Sequence, residues 1–170
     1  MDPPADDESA GIALMEQASA AILAGVDRLA AAWVVAAVTR ILDAWGRLDA
    51  ADRARTVADA SAAGEEAAAR VGRELRDLFA TDVSAQRTTP LAVVRSLRRE
   101  ATAVLAGAGV PPVERDEFDT RSFPDDVYGI VPQSLADLGD EDLAPMLMVW
   151  GVGKSKVLRT RRPESFPPNS

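Results

Sequence analysis

The chain has 170 residues, a formal net charge of −8, no histidine and no cysteine, and its hydrophobic content of 47% includes only 3 Trp, 1 Tyr and 4 Phe. Without Cys or His there are no disulfides, no thiolate chemistry, and neither the commonest general base nor the commonest metal ligand. The acidic balance argues against broad adhesion to nucleic acid or anionic lipid, and the abundance of alanine favours thin helices packed at short range over sheets.

A chain of this length suits one domain. Its first ten residues, Met1-Asp2-Pro3-Pro4-Ala5-Asp6-Asp7-Glu8-Ser9-Ala10, have little to bury and are expected to form a disordered acidic arm. Their charge is wrong for the n-region of a secretory signal. From Ile12 the stripe Ile12, Met15, Ser19, Ile22 and Val26 predicts a helix near 8 to 24. Gly25 weakens it and Asp27 can cap a second helix near 28 to 47; a helix continuous across Gly25 is the alternative. Glu16, Asp27, Arg28 and Arg40 interrupt the apolar run from Ile12 to Leu42, so no membrane span is expected and a cytoplasmic location is the default.

The second helix carries Val34, Val38, Ile41, Trp45 and Leu48, and Gly46 ends it. Asp49 is a candidate N-cap for a third helix over about 50 to 80, whose seam Ala54, Val57, Ser61, Gly64, Ala68, Val71, Leu75 and Leu78 follows a heptad. So short a connection predicts an antiparallel helix hairpin, with small side chains at mid-seam allowing close backbone approach. On this reading Gly64→Leu forces the two helices apart.

Thr89 and Pro90 supply a cap and a first-turn proline for a fourth helix, with Leu91, Val94, Leu97, Ala101, Val104 and Ala108 on one face. Residues 110 to 133 combine Pro111, Pro112, Pro124 and Pro132 with Phe118, Phe123, Tyr128 and Ile130, which predicts an ordered strap whose rings plug into the helices. Ser134 to Leu138 suit one helical turn. A last helix is expected to begin at Asp140 to Asp142 and to end in Arg159, Arg161 and Arg162, acids first and bases last. The predicted fold is all-α: a four- to five-helix bundle around a central antiparallel hairpin, with a proline-rich strap before the last helix. It is one domain over 11 to 162, and a disordered tail over 163 to 170.

Gly151-Val152-Gly153-Lys154-Ser155 matches only the end of a phosphate-binding loop, because Met148 stands where its first glycine belongs and no strand precedes it. Close helix packing explains the glycines better. Lys154, Lys156, Arg159, Arg161 and Arg162 form a basic helix end that suits phosphate contacts, although no aromatics interleave it for base stacking. Glu114, Asp116, Glu117, Asp119, Asp125 and Asp126 crowd the strap without the spacing of a calcium loop, and Arg115 and Arg121 lie among them, which favours internal pairing over a metal site. No carboxylate pair is singled out for acid and base catalysis.

The stretch from Gly109-Val110-Pro111-Pro112 through Phe118, Phe123-Pro124-Asp125-Asp126-Val127-Tyr128 and on to Trp150-Gly151 resembles an uncharacterised family of small helical proteins from high-GC bacteria with no assigned function. The resemblance spans about residues 28 to 162 and implies no catalytic residues.

The sequence therefore predicts a non-catalytic protein-interaction or regulatory module without a cofactor. Its candidate partner-binding residues are Ile12, Met15 and Ile22 on the first helix and Phe118, Phe123 and Tyr128 on the strap, for an unknown protein partner or self-association. The alternative is a nucleic-acid or ribosome-associated protein that uses the basic C-terminal residues. A small-molecule pocket between strap and helices is a third reading.

Overall fold

All regular structure among the described residues, 4–130 and 143–161 of a computed structural model, is α-helical. The helices are α1 (Pro4–Trp45), α2 (Ala50–Ala80), α3 (Pro90–Arg95), α4 (Leu97–Gly107), α5 (Glu117–Ser122) and α6 (Leu143–Thr160).

α1 departs from expectation in two places. It runs unbroken through Gly25 and Asp27 where two helices were predicted, and it begins at Pro4, inside the stretch expected to be a disordered arm. Packing explains both differences. Ile22, Val26 and Ala30 around Gly25 are buried, and each buried Ile or Val contributes ~1.5–3 kcal/mol, more than the ~1 kcal/mol a mid-helix glycine costs. Nearer the start, Gly11, Met15 and Ala18 lie buried in a contact with α6 that holds the first turns in place. By length and composition α1 also qualifies as a helix able to cross a membrane, with an 18-residue window of mean hydropathy 1.8 between Asp7 and Trp45. In this fold the same apolar surface contacts α2, α4 and α6.

After α1 the chain turns at Gly46, which takes a φ of 63°, and Asp49 caps α2 by accepting a hydrogen bond from the Asp52 amide at 2.8 Å. Both the cap and the extent of α2 follow the sequence reading. Arg53 pairs back to Asp43, and Gly64 lies against Ala31, where an added Cβ would sit 2.9 Å from the alanine Cα and carbonyl oxygen.

The predicted heptad seam holds only in part. Gly64, Val71, Leu75 and Leu78 are buried, but Ala54 and Ser61 face solvent, Val57 and Ala68 are half-buried, and Thr56, Ala60 and Ala67 take the inner positions. The buried positions 56, 67 and 78, like 60 and 71 or 64 and 75, repeat every eleven residues. A straight helix drifts by ~20° per heptad, so a seam drawn from Leu78 backward on a seven-residue period leaves the core before it reaches Ala54.

The predicted fourth helix is two segments that meet at Ser96. Thr89 caps the first by accepting from the Ala92 amide at 3.2 Å, with Pro90 in the first turn. Leu105, absent from the predicted apolar face, is fully buried beside Leu97 and Ala101. α6 is described from Leu143, so its expected start at Asp140 to Asp142, the turn at Ser134 to Leu138, Arg162 and the tail lie outside the described residues.

α6 meets α1 at a second glycine crossing. A Cβ added at Gly153 would lie 2.7 Å from the Gly11 carbonyl oxygen and 2.7 Å from Met15 Cγ, and one added at Gly11 would lie 2.9 Å from the Gly153 oxygen. Around Gly151 the corresponding space is open. Gly153→Val should therefore destabilise the protein by ~1–3 kcal/mol or more through overpacking. Gly151→Ala should leave stability unchanged or raise it by up to ~1 kcal/mol. Chemical denaturation of the two variants beside the parent checks the contrast, and equal effects would place the crossing elsewhere.

Candidate functional site

The loop leaving α4 is ordered by its own polar groups. The Val113 amide donates to the Val127 carbonyl at 3.1 Å, and the Tyr128 hydroxyl donates to the Val110 carbonyl at 2.6 Å. Asp126, itself buried, accepts from the Ile130 amide at 2.7 Å. Arg115 donates through Nη1 to the Phe123 carbonyl at 2.9 Å and through Nη2 to the Asp119 carbonyl. These bonds draw the base of the loop shut against the helices and leave α5 at its tip. Asp116 caps α5, accepting from the Asp119 amide at 2.7 Å, as Asp does at the orphaned amides of a first turn.

The rings divide differently from the prediction. Tyr128 is buried, Phe123 half-buried, and Phe118, expected to plug into the helices, is 75% exposed at the tip. Phe118 stands between Glu117 and Asp119 on a six-residue helix with no buried residue, so no neighbouring element draws the ring inward. Its neighbours in sequence Glu114, Asp116, Glu117, Asp119 and Asp125 are exposed, and Glu117 pairs with the exposed Arg121 at 2.6 Å. Among the described residues no three carboxylates converge as a metal site.

On α1, Met15 and Ile22 are buried within this chain's own core, whereas Ile12 is 39% exposed. As partner-binding candidates, Met15 and Ile22 are thus already used by α1 packing, and Ile12 alone of the three faces outward.

The basic end of α6 is partly spent inside the molecule. Lys156 pairs with Asp7 at 2.8 Å, and Arg161 bridges Glu8 at 2.8 Å and Asp82 at 2.9 Å. The Lys154 ammonium lies 5.3 Å from the centre of the Trp150 ring. Arg159 is exposed, and it continues the outward stripe Met148, Val152, Ser155. Met148 is 73% and Val152 53% exposed. The sequence reading singled out neither as a site residue, although the run from Leu143 to Gly153 is apolar around the whole helix and one contact face cannot bury all of it. Gly151 to Ser155 lie in mid-helix, where backbone amides bond within the helix and form no phosphate cradle.

A cleft of about 510 Å³ between α2 and α4 is lined by Asp52, Arg55, Asp59, Glu100 and Val104. Two of its acids already have cationic partners, Asp52 with Arg55 at 3.1 Å and Glu100 with Arg70. Its lining reaches Gly107 and Ala108, next to the start of the strap, but includes no described strap residue. Comparison of the chain with protein-family models, curated proteins and solved structures finds no match, so neither a relative nor the family resemblance of the strap assigns these surfaces a role.

Two measurements probe this arrangement. The Ser84 hydroxyl, then the Ser84 amide and the Arg161 guanidinium, hold Asp82 at about 2, below its ordinary 3.8. A carboxylate depressed on folding stabilises fully above its unfolded value and stops doing so as pH falls through the folded one. Asp82→Asn should therefore lower the melting temperature at pH 7, and the difference from the parent should close between ~4 and ~2. Burial pushes the Tyr128 phenol above its usual value, in keeping with a neutral donor to Val110. Tyr128→Phe, which strands that carbonyl, should cost ~1–3 kcal/mol in urea denaturation and loosen the loop to protease.

Proposed function

We propose that the chain is a non-catalytic protein-interaction or regulatory module, a four- to five-helix bundle on a central antiparallel hairpin that holds the acidic strap as its docking element. The observation that carries this reading is Phe118, a large aromatic side chain 75% exposed on a loop closed by its own hydrogen bonds. Aromatic anchors dominate binding energy at protein interfaces, and a pre-ordered loop loses little conformational entropy when it docks. The acids around the ring favour a partner surface with an apolar pocket and a basic rim. A cytoplasmic setting accompanies this reading, motivated by the net charge of −8.

A photo-crosslinking amino acid placed at position 118 of the full chain, in the cells that express it, should capture a defined protein. The same residue placed at position 55, on the exposed face of α2, should not. Equal capture from both positions, or none from 118, would falsify the docking role of the tip.

A further inference from the structure

The basic end of α6 has no part in the docking of the Phe118 tip, and the chain's own acids already sit on it. Lys156 holds Asp7 at 2.8 Å, and Arg161 holds Glu8 through Nε at 2.8 Å and Asp82 through Nη1 at 2.9 Å. The Asp7 carboxyl lies below its ordinary value, first through its hydrogen bond from Lys156, then through the charges of Lys156 and Arg159. Lys156, Arg159 and Arg161 thus act on three carboxylates, two of which belong to the first turns of α1.

Those turns are lightly held. No residue from 7 to 10 is buried, and close packing of α1 on α6 begins at Gly11, against Gly153 and Val157. Ahead of Gly11, Asp7 and Glu8 meet α6 through half-exposed ion pairs, which are individually weak and screened by salt. A helix end without an apolar anchor is where local opening costs least. Unwinding α1 back to Gly11 withdraws Asp7 and Glu8, and of the three acids Asp82 alone then remains.

We propose that the first turns of α1 are an autoinhibitory cover on an anion-binding surface made by Lys156, Arg159 and Arg161, and that the ligand of this surface is a compact polyphosphate group. Carboxylates and phosphates are recognised by the same ammonium and guanidinium donors, so Asp7 and Glu8 compete with such a ligand for the same atoms. Arg161 divides its fork between carboxylates from two separate segments, whereas one phosphate presents two oxygens to the fork together. A compact anion suits the surface better than a long nucleic acid, because phosphates beyond the cationic end meet a chain of net charge −8. Binding and opening are linked: the ligand takes the uncovered form, and whatever loosens the cover raises affinity.

Calorimetric titration of the full chain with tripolyphosphate at fixed ionic strength, with amide hydrogen exchange on the same samples, tests the cover. The parent should bind. As it does, the amides of residues 8 to 14, whose helical acceptors are the carbonyls of residues 4 to 10, should exchange faster, while those near Ile22 keep their protection. Asp7→Asn combined with Glu8→Gln should bind about tenfold more tightly, the change expected from removing two weak competing pairs. Lys156→Gln combined with Arg161→Gln loosens the cover equally but should bind at least about tenfold more weakly than that variant, because the donors themselves are gone. Far-ultraviolet circular dichroism verifies that both variants are folded. A short single-stranded oligothymidylate should bind the parent more weakly than tripolyphosphate does.

Equal affinity of the parent and the Asp7, Glu8 variant overturns the cover, and failure of both to bind overturns the anion-binding surface. Sodium chloride that speeds exchange as much as tripolyphosphate at the same ionic strength reduces the effect to screening and overturns the proposal as well. Tighter binding of the oligothymidylate overturns the compact ligand.

Discussion

Two places where backbone meets backbone set the terms for the rest of the molecule. At Gly64 against Ala31, and at Gly11 against Gly153, there is no room for a Cβ on the glycine, so α2 and α6 approach α1 as closely as helices can. Helices this close are held by many short contacts between thin side chains, and the interior is accordingly built from Ala18, Ala30, Ala37, Ala60, Ala67 and Ala101 among the larger aliphatics. The continuity of α1 follows from the same constraint. It must meet α6 near its start and α2 along its middle, so a break at Gly25 would uncouple the two contacts.

The same close approach distributes the charges. Bringing α6 down on the first turns of α1 carries Lys156 to Asp7 and Arg161 to Glu8 and Asp82, three acids that are remote from them in sequence. Two of the five cations that read in the sequence as a phosphate-binding end are thus paired, with Asp7 and Glu8 near the start of α1 and with Asp82 after α2. Exposed pairs of this kind contribute little to stability individually. Their larger effect is on which charge is left outside: the acids around Phe118 on one surface, and Arg159 at the end of an apolar stripe on another.

Legibility followed how local the determining physics is. The Asp49 cap, the Thr89-Pro90 start and the extent of α2 depend on hydrogen bonds and propensities within a few residues, and they were readable directly. The buried face of α2 was readable at Val71, Leu75 and Leu78 and misread near Ala54, because a period of seven and one of eleven separate only over several turns. The strap was legible as an ordered segment, but not which of its rings would turn inward. Tyr128 has a buried carbonyl to bond, whereas Phe118 stands on a capped turn too short to pack.

By itself the sequence determined that this protein is helical, where α2 starts and stops and where the helix after Thr89 begins, and that it lacks the side chains of thiol and imidazole chemistry. These are consequences of residue type and near-neighbour spacing. Only the tertiary structure decided that Gly153 rather than Gly151 marks a helix crossing, that Met15 and Ile22 belong to the core, and that Phe118, Met148 and Val152 face outward. Those outcomes depend on which surface another helix covers, and coverage is set by contacts between residues far apart in the chain.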